Sequence, residues 1–500
     1  MQICFLLGPA GSGKTHRCLS EIREELHRHS KGAPLILLAP KQATFQLERQ
    51  LLTGGELPGY TRLHILSFER LAEFIFDQLG VPVPKLLAEE GRVMVLRALL
   101  EQKRGELKLF RASARLPGFA RQLSQLLREL QQYHLTPPRL ETLADEMGES
   151  HRLNAKLRDL ALILRAYSEW LKANQLQDAD TLLDLAAQKL RSPSSGASTL
   201  PFQIDGLWLD GFAQMTPQER QLLAAIAQCS ERATIAFCLD REPHQNPPWH
   251  SSWAPVTETF LRCRDELSAL PNAVVQIETL PRDPAQSRFQ MSPALQHLEK
   301  HWGKPGTFTI YDSRLTQVAS ETDSIEDSSV RIVSCANPEI EVEFAAREIH
   351  RFVREGGGRF RDAAVLLRSL DGYHDSIRRV FARYEIPFFL DRRESVTHHP
   401  LAELTRYALR LIAHGWDHDD WFGALKTGLV HADESAIDRL ENEALAHGWR
   451  GESFWLQPIH LPALPESFTR ALESLREQLT VPFLRFADSL AASQRRPNGV

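Results

Sequence analysis

Residues 2–15 read QICFLLGPAGSGKT, and the fold follows from how this stretch is parsed. QICFLL (2–7) is an apolar run of buried-strand length, GPAGSG (8–13) is a glycine-rich turn, and from Lys14 to about His29 the apolar residues recur at helical spacing. Gly8–Thr15 fits GxxxxGK[ST], and a strand before it with a helix after it is the context in which that pattern is a phosphate loop. Backbone N–H groups must close around phosphate oxygens, which Gly8, Gly11 and Gly13 permit, and a helix N-terminus favours negative charge. Gly8, Pro9, Ala10, Gly11, Ser12, Gly13, Lys14 and Thr15 are therefore the expected triphosphate-binding residues. The Lys14 ammonium is expected to neutralise the β and γ phosphates of ATP, and the Thr15 hydroxyl to join a Mg²⁺ shell.

A phosphate-loop enzyme also needs an acidic residue at the end of a neighbouring strand to hold Mg²⁺. The run LWLDGF offers Asp210; an aspartate after an apolar run is also a common turn residue, but this one ends an expected sheet strand. The next residue is Gly211, where a motor ATPase would carry a glutamate to polarise the attacking water. General-base assistance contributes about 10²- to 10⁴-fold, so such a site would bind ATP and hydrolyse it slowly. Glu219 and Asp240 are the candidate substitutes, with helix-surface solvation and strand-end capping as competing explanations. Arg368 ends another apolar run, DAAVLLR, from which an arginine could reach a γ-phosphate; a solvated strand-end arginine is the alternative.

Further along, Leu35–Ala39 and Leu63–Leu66 read as strands, and KQATFQLERQLL (41–52) and FERLAEFIFDQL (68–79) as helices. Strands alternating with helices predict an α/β fold with a parallel sheet covered on both faces. Residues 1–83 form the first part of this domain, and 84–200 an almost purely helical insertion. SPSSGAST (192–199) is a flexible connection, after which 201–290 resume the sheet through QIDGLWLDGF and RATIAFCLD, with the helical PQERQLLAAIAQ between them. Residues 281–329 are rich in Pro, Ser, Asp and Thr with weak periodicity, so a domain boundary is expected within them, with 291–329 as the linker. A second α/β unit over 330–400 is expected from the strands VRIVSC, DAAVLLR and IPFFLD with helices between them, followed by a helical region over 401–500.

The 59 basic and 64 acidic residues leave a formal charge of -5, which gives no global electrostatic preference for nucleic acid, so any such contact must be local. No apolar run approaches the roughly 20 residues of a membrane span, and the N-terminal apolar run lacks a basic leader; no membrane partner is expected. Six cysteines without zinc-type spacing point to reduced thiols in the cytoplasm.

Taken with GPAGSGKT (8–15), the segments LILLAPKQATFQLERQLL (35–52), LHILSFERLAEFIF (63–76) and LWLDGFAQMTPQE (207–219) resemble superfamily 1 helicases of the UvrD type. The closer resemblance is to the AddB (RexB) subunit of the bacterial ATP-dependent helicase-nuclease, carried most specifically by residues 363–412, which look like helicase motif IV and its sequel. The resemblance implies RecA-like P-loop NTPase domains with large helical insertions of the 1B and 2B kind. It also implies Asp210 as the Walker B position and Arg368 as the motif IV arginine that senses the γ-phosphate. Gln42, Thr44 and Phe45, with Ser67 and Phe68, fall where related helicases touch single-stranded DNA; core packing is the rival explanation for the two phenylalanines.

The family further implies a heterodimer with an AddA-type subunit that supplies the main motor, acting on DNA double-strand break ends in recombinational repair. Members are about twice this length and end in a nuclease domain with an iron-sulfur cluster; neither motif occurs in these residues, which look like the N-terminal half. The rival readings are an autonomous P-loop enzyme such as a nucleotide kinase, which leaves 330–400 unexplained, and a non-hydrolysing scaffold.

Overall fold

The run QICFLL forms β1 (Gln2–Leu7), an inner strand of a sheet and covered on both faces, which is why it reads as nearly continuous apolar sequence. Ile3, Phe5 and Leu7 face one core while Leu6 faces the other, and β2 (Leu35–Leu38) divides in the same way, with Ile36 and Leu38 against Leu35 and Leu37. The computed structural model describes residues 1–500 except 30, 54–58, 117, 149–151, 192–201, 284, 286, 305, 308–329, 391–395, 462–464 and 495–500. The connection expected at 192–199 therefore lies outside the described residues.

The first of two units spans Met1–Arg331. In chain order it carries β1, α1 (Lys14–Arg28), β2, α2 (Thr44–Leu52), β3 (Leu63–Leu66), α3 (Phe68–Gln78), β4 (Leu86–Leu87), α4 (Glu89–Gln102), α5 (Phe119–Gln132), α6 (Pro137–Met147), α7 (Arg152–Ala173), β5 (Gln177–Asp178), α8 (Leu182–Arg191), β6 (Gly206–Leu209), α9 (Pro217–Ala227), β7 (Arg232–Phe237), α10 (Ala254–Ser268), β8 (Val274–Thr279) and α11 (Pro293–His301). Six strands make one parallel sheet in the order β3-β2-β6-β7-β1-β8, in which Gln2 is level with Arg232 on one side and Val274 on the other. The chain leaves β1 and crosses β7 and β6 to reach β2, so the ends of β1 and β6, on either side of β7, lie at the position where such sheets usually take a ligand.

Helices α4–α7 build a separate apolar core around Leu96, Leu127 and Tyr167. A buried arginine fastens this layer: Arg92 donates to Ser124 at 2.8 Å and to Asp178 at 3.2 Å, and also pairs with Asp180. The stretch 291–329, expected as a linker, instead carries α11 in its described part, started by Ser292, whose hydroxyl accepts from the Leu295 amide, and by Pro293 in the first turn.

The second unit spans Ile332–Val500 and contains α12 (Pro338–Arg354), α13 (His374–Arg383), α14 (Pro400–His414), α15 (His418–Leu425), α16 (Glu434–His447), α17 (Glu452–Trp455) and α18 (Glu466–Gln494). Its helical portion packs around Trp416, Trp421 and Trp455, in keeping with the helical character expected there. The strands expected in VRIVSC, DAAVLLR and IPFFLD are corrected: among the described residues of this unit there is no strand. Helices α12 and α13 pack through Val342, Ala346, Ile377, Val380 and Phe381, but the three apolar segments share no ladder hydrogen bonds, and Ile332, Leu366 and Phe389 stand 99%, 90% and 89% exposed. Apolar character makes a segment able to pair; only a partner strand makes it a strand.

Candidate triphosphate site

Where β1 ends, the chain turns through Gly8–Gly13 into α1, and Gly13 supplies the turn with φ 94°, ψ 11°, a left-handed conformation costly for any residue with a Cβ. Gly13 caps α1 without a side-chain hydrogen bond, and the first turn of α1 holds no acidic residue, so its amides and the positive end of its dipole are left for an anion. Lys14 Nζ donates to the carbonyl oxygens of Gly8 and Pro9, both at 2.8 Å, which holds the ammonium over the loop. Burial lowers the Lys14 pKa, opposed by the negative charge of Asp210. The Pro9 carbonyl also accepts from the Ser12 amide at 3.3 Å, Ala10 is exposed at the loop's tip, and Ser12 Oγ is buried with no hydrogen-bond partner among the described residues.

Asp210 continues the β6 ladder through its amide, which donates to the Leu38 carbonyl at 3.0 Å, and its largely buried carboxylate accepts from Thr15 Oγ1 at 2.5 Å. The two residues singled out for Mg²⁺ are thus brought together from 195 positions apart. A hydroxyl and a carboxylate are hard oxygen donors of the kind Mg²⁺ uses beside substrate phosphates and water, so the pair fits that ion. Gly211 follows with φ 88°, and a Cβ there would stand 3.1 Å from Pro40 Cδ, so a glutamate at this position would be strained by the backbone itself. Neither candidate substitute fills the gap in an obvious way. Glu219 completes a capping box with Thr216, accepting from its amide at 2.7 Å, and Asp240 is an exposed residue after β7.

The composition of the stretch after β8 concealed a further part of the site. The Leu280 amide donates to the Leu7 carbonyl at 2.8 Å, which leads the chain directly over the phosphate loop. A Cβ on Gly11 would meet Arg288 Cγ at 2.7 Å and Phe289 Cε2 at 3.2 Å, so the space beside this glycine is taken by these two side chains. Arg288 is exposed, has no ion-pair partner among the described residues, and its charge helps lower the Lys14 pKa. Arg282 and Glu299 join at 2.8 Å through two hydrogen bonds and fix α11 against this segment. The helix-start signal Ser292-Pro293 and the two arginines were the features from which this covering segment was readable.

Of the positions expected at single-stranded DNA, Phe45 is 74% exposed at the start of α2, and Gln42 is exposed beside it. Phe68 is 2% exposed and meets Phe212 edge-on at 5.2 Å, so core packing, the rival explanation, accounts for it. Ser67 is the N-cap of α3, its hydroxyl donating to Glu69 at 2.7 Å. Arg368 lies in the second unit, exposed and without an ion-pair partner among the described residues. No helix among the described residues is long and apolar enough to cross a membrane.

A family model described as "ADDB, N-terminal" matches residues 5–299. The B subunit of the ATP-dependent helicase/deoxyribonuclease of Moorella thermoacetica is 36% identical over 511 residues, covering 99% of this chain and 42% of that protein. Proteins of the same description from Desulforudis audaxviator and Symbiobacterium thermophilum are 37% and 35% identical, covering 92% and 98% of this chain and 38% and 42% of theirs. The chain spans about two fifths of the length of these curated relatives.

Proposed function

The chain belongs to the AddB N-terminal family, and from that premise we propose that it is the ATP-binding, helicase-like part of an ATP-dependent helicase-nuclease that processes DNA double-strand break ends. The observation that carries the reading is the hydrogen bond of 2.5 Å from Thr15 to Asp210 at the mouth of the glycine turn, a Mg²⁺-type donor pair beside a loop built for phosphate. The six-stranded sheet is the RecA-like core of a superfamily 1 helicase, with α4–α7 as its helical insertion. Residues Gly8–Thr15 hold the triphosphate: the loop and α1 amides face its oxygens, Lys14 neutralises the β and γ phosphates, and Thr15 with Asp210 takes Mg²⁺. Arg288 adds a second cation to the phosphate side. Glycine at 211 leaves no general base, so hydrolysis by this chain is slow, and an AddA-type partner supplies the main motor. Single-stranded DNA passes near Gln42, Thr44 and Phe45, where the exposed ring can stack on a base. The family's iron-sulfur cluster belongs to the nuclease portion of longer members, and no Cys set in these residues is assigned to it.

Labelled-ATP binding to the chain, with Mg²⁺ and with chelator, tests the site. Mg²⁺ should tighten binding to the wild type and have little effect on Asp210→Asn. Indifference of the wild type to Mg²⁺ would remove the basis for the reading.

A further inference from the structure

The segment joining α4 to α5 contains KRGELKLFRASAR (103–115), with five basic residues and one acidic, in a chain whose formal charge is -5. Its backbone is built into the helical layer. The buried carboxylate of Asp159 on α7 accepts from the amides of Lys108, Leu109 and Phe110 at 3.0, 2.8 and 2.8 Å. Leu107, Phe110 and Ala114 are buried in the core of that layer, and Phe110 meets Phe119 edge-on at 5.2 Å. With Leu107, Phe110 and Ala114 committed inward and its backbone tied to Asp159 of α7, the segment turns Lys108, Arg111 and Arg115 outward.

Arg104, Lys108, Arg111 and Arg115, with Leu109 and Ala112, line a concavity of about 460 Å³ that has no acidic residue in its wall. Arg104 reaches Glu101 at 3.1 Å, but the side chains of Lys108, Arg111 and Arg115 have no ion-pair partner among the described residues and are exposed. Surface arginines on this protein commonly find a carboxylate, as Arg158, Arg165 and Arg262 do. A rigid loop that gathers cations and leaves them unpaired costs mutual repulsion, which an external polyanion would relieve.

We propose that this concavity binds the phosphodiester backbone of duplex DNA. No aromatic side chain or carboxylate lines it, so it offers neither a platform for unstacked bases nor acceptors for base edges; guanidinium and ammonium donors serve phosphates. Double-stranded DNA presents about one charge per 1.7 Å of axis, dense enough for several cations in one concavity to be used at once. The assignment rests on the reading that the protein acts on DNA, and it adds where a duplex is held, apart from the triphosphate site.

The test is fluorescence-anisotropy titration of the chain with a blunt duplex and, separately, with a single strand of equal length, across a salt series. Wild type, Arg111→Ala/Arg115→Ala and, as a control, Arg470→Ala in α18 are compared, with ATP binding and melting temperature recorded for each. The double variant should bind duplex about tenfold more weakly at low salt, with a log–log salt slope smaller by about 2, while single-strand affinity, ATP binding and melting temperature match the wild type. Arg111→Lys/Arg115→Lys should recover most of the slope. An unchanged duplex slope in a double variant whose wild-type parent binds DNA would overturn the assignment, as would equal losses for single strand and duplex. If the double variant instead loses only association with the partner subunit, the concavity is a protein-docking surface and the proposal is wrong. A wild type that ignores both DNAs at low salt would overturn the proposal together with the DNA-processing reading, which is how the two failures are told apart.

Discussion

Replacing Gly211 by glutamate puts the side chain of a motor ATPase back at the position where this chain lacks it, and the structure says the replacement will fail. Gly211 has φ 88°, and left-handed backbone costs a residue with a Cβ about 1–2 kcal/mol. The added Cβ would also stand 3.1 Å from Pro40 Cδ and 3.4 Å from Pro40 Cγ, atoms of a stiff ring at the end of β2. Together these give a loss of roughly 1–3 kcal/mol, which lowers the melting temperature of a unit this large by a few degrees. Gly211→Ala carries the same backbone and Cβ cost without the carboxylate, so both variants should melt lower by similar amounts. Neither should gain the ~10²-fold or greater ATPase that a placed general base confers. The assays are thermal melting and steady-state phosphate release on the intact chain. Gly211→Ala melting with the wild type would refute the strain argument, and a Gly211→Glu protein hydrolysing ATP ~100-fold faster would refute the claim that the backbone excludes a working base.

Three further outcomes are expected. Because burial depresses the Lys14 pKa below the ordinary 10.5, its ammonium loses its proton at lower pH than an exposed lysine, so ATP affinity should fall on the alkaline side before that value; Lys14→Arg, charged throughout, should give a flat profile in the same titration. Arg288→Ala should weaken ATP binding more than ADP binding, read by competition titration, if the cation over Gly11 faces the terminal phosphate. Arg92→Ala leaves Asp178, 1% exposed, buried beside the gap and should cost about 3–5 kcal/mol, seen as a lowered first transition in calorimetry.

What the sequence made legible follows the physics of burial. Strands β2 and β6 read as unbroken apolar runs, β1 and β7 as runs that are apolar in their second halves, and the glycine turn between β1 and α1 carries its own chemistry. Strand β8 lies at the sheet edge with burial alternating between exposed and half-buried, so its signal is weak and it was not anticipated. At 330–335, 362–368 and 386–390 β-prone residues such as Ile332 and Leu366 are present but, among the described residues, no ladder forms; periodicity reports which face is apolar, not whether a neighbour is there to pair with. Asp210 was found because it ends a strand. Arg288 was not, because a Pro- and Ser-rich composition resembles a linker even where, as here, it folds back over the loop. Phe45 and Phe68 show the limit most simply: two phenylalanines near helix starts, one 74% and the other 2% exposed, which residue type alone does not distinguish.

The most direct measurement is the equilibrium affinity of the chain for labelled ATP with Mg²⁺, compared between wild type and Lys14→Ala. A charge-assisted hydrogen bond to phosphate contributes about 1.5–3 kcal/mol, so the variant should bind at least ~10-fold more weakly while melting as the wild type does. Equal affinities for the two proteins would mean that the glycine turn between β1 and α1 is not where a triphosphate is held.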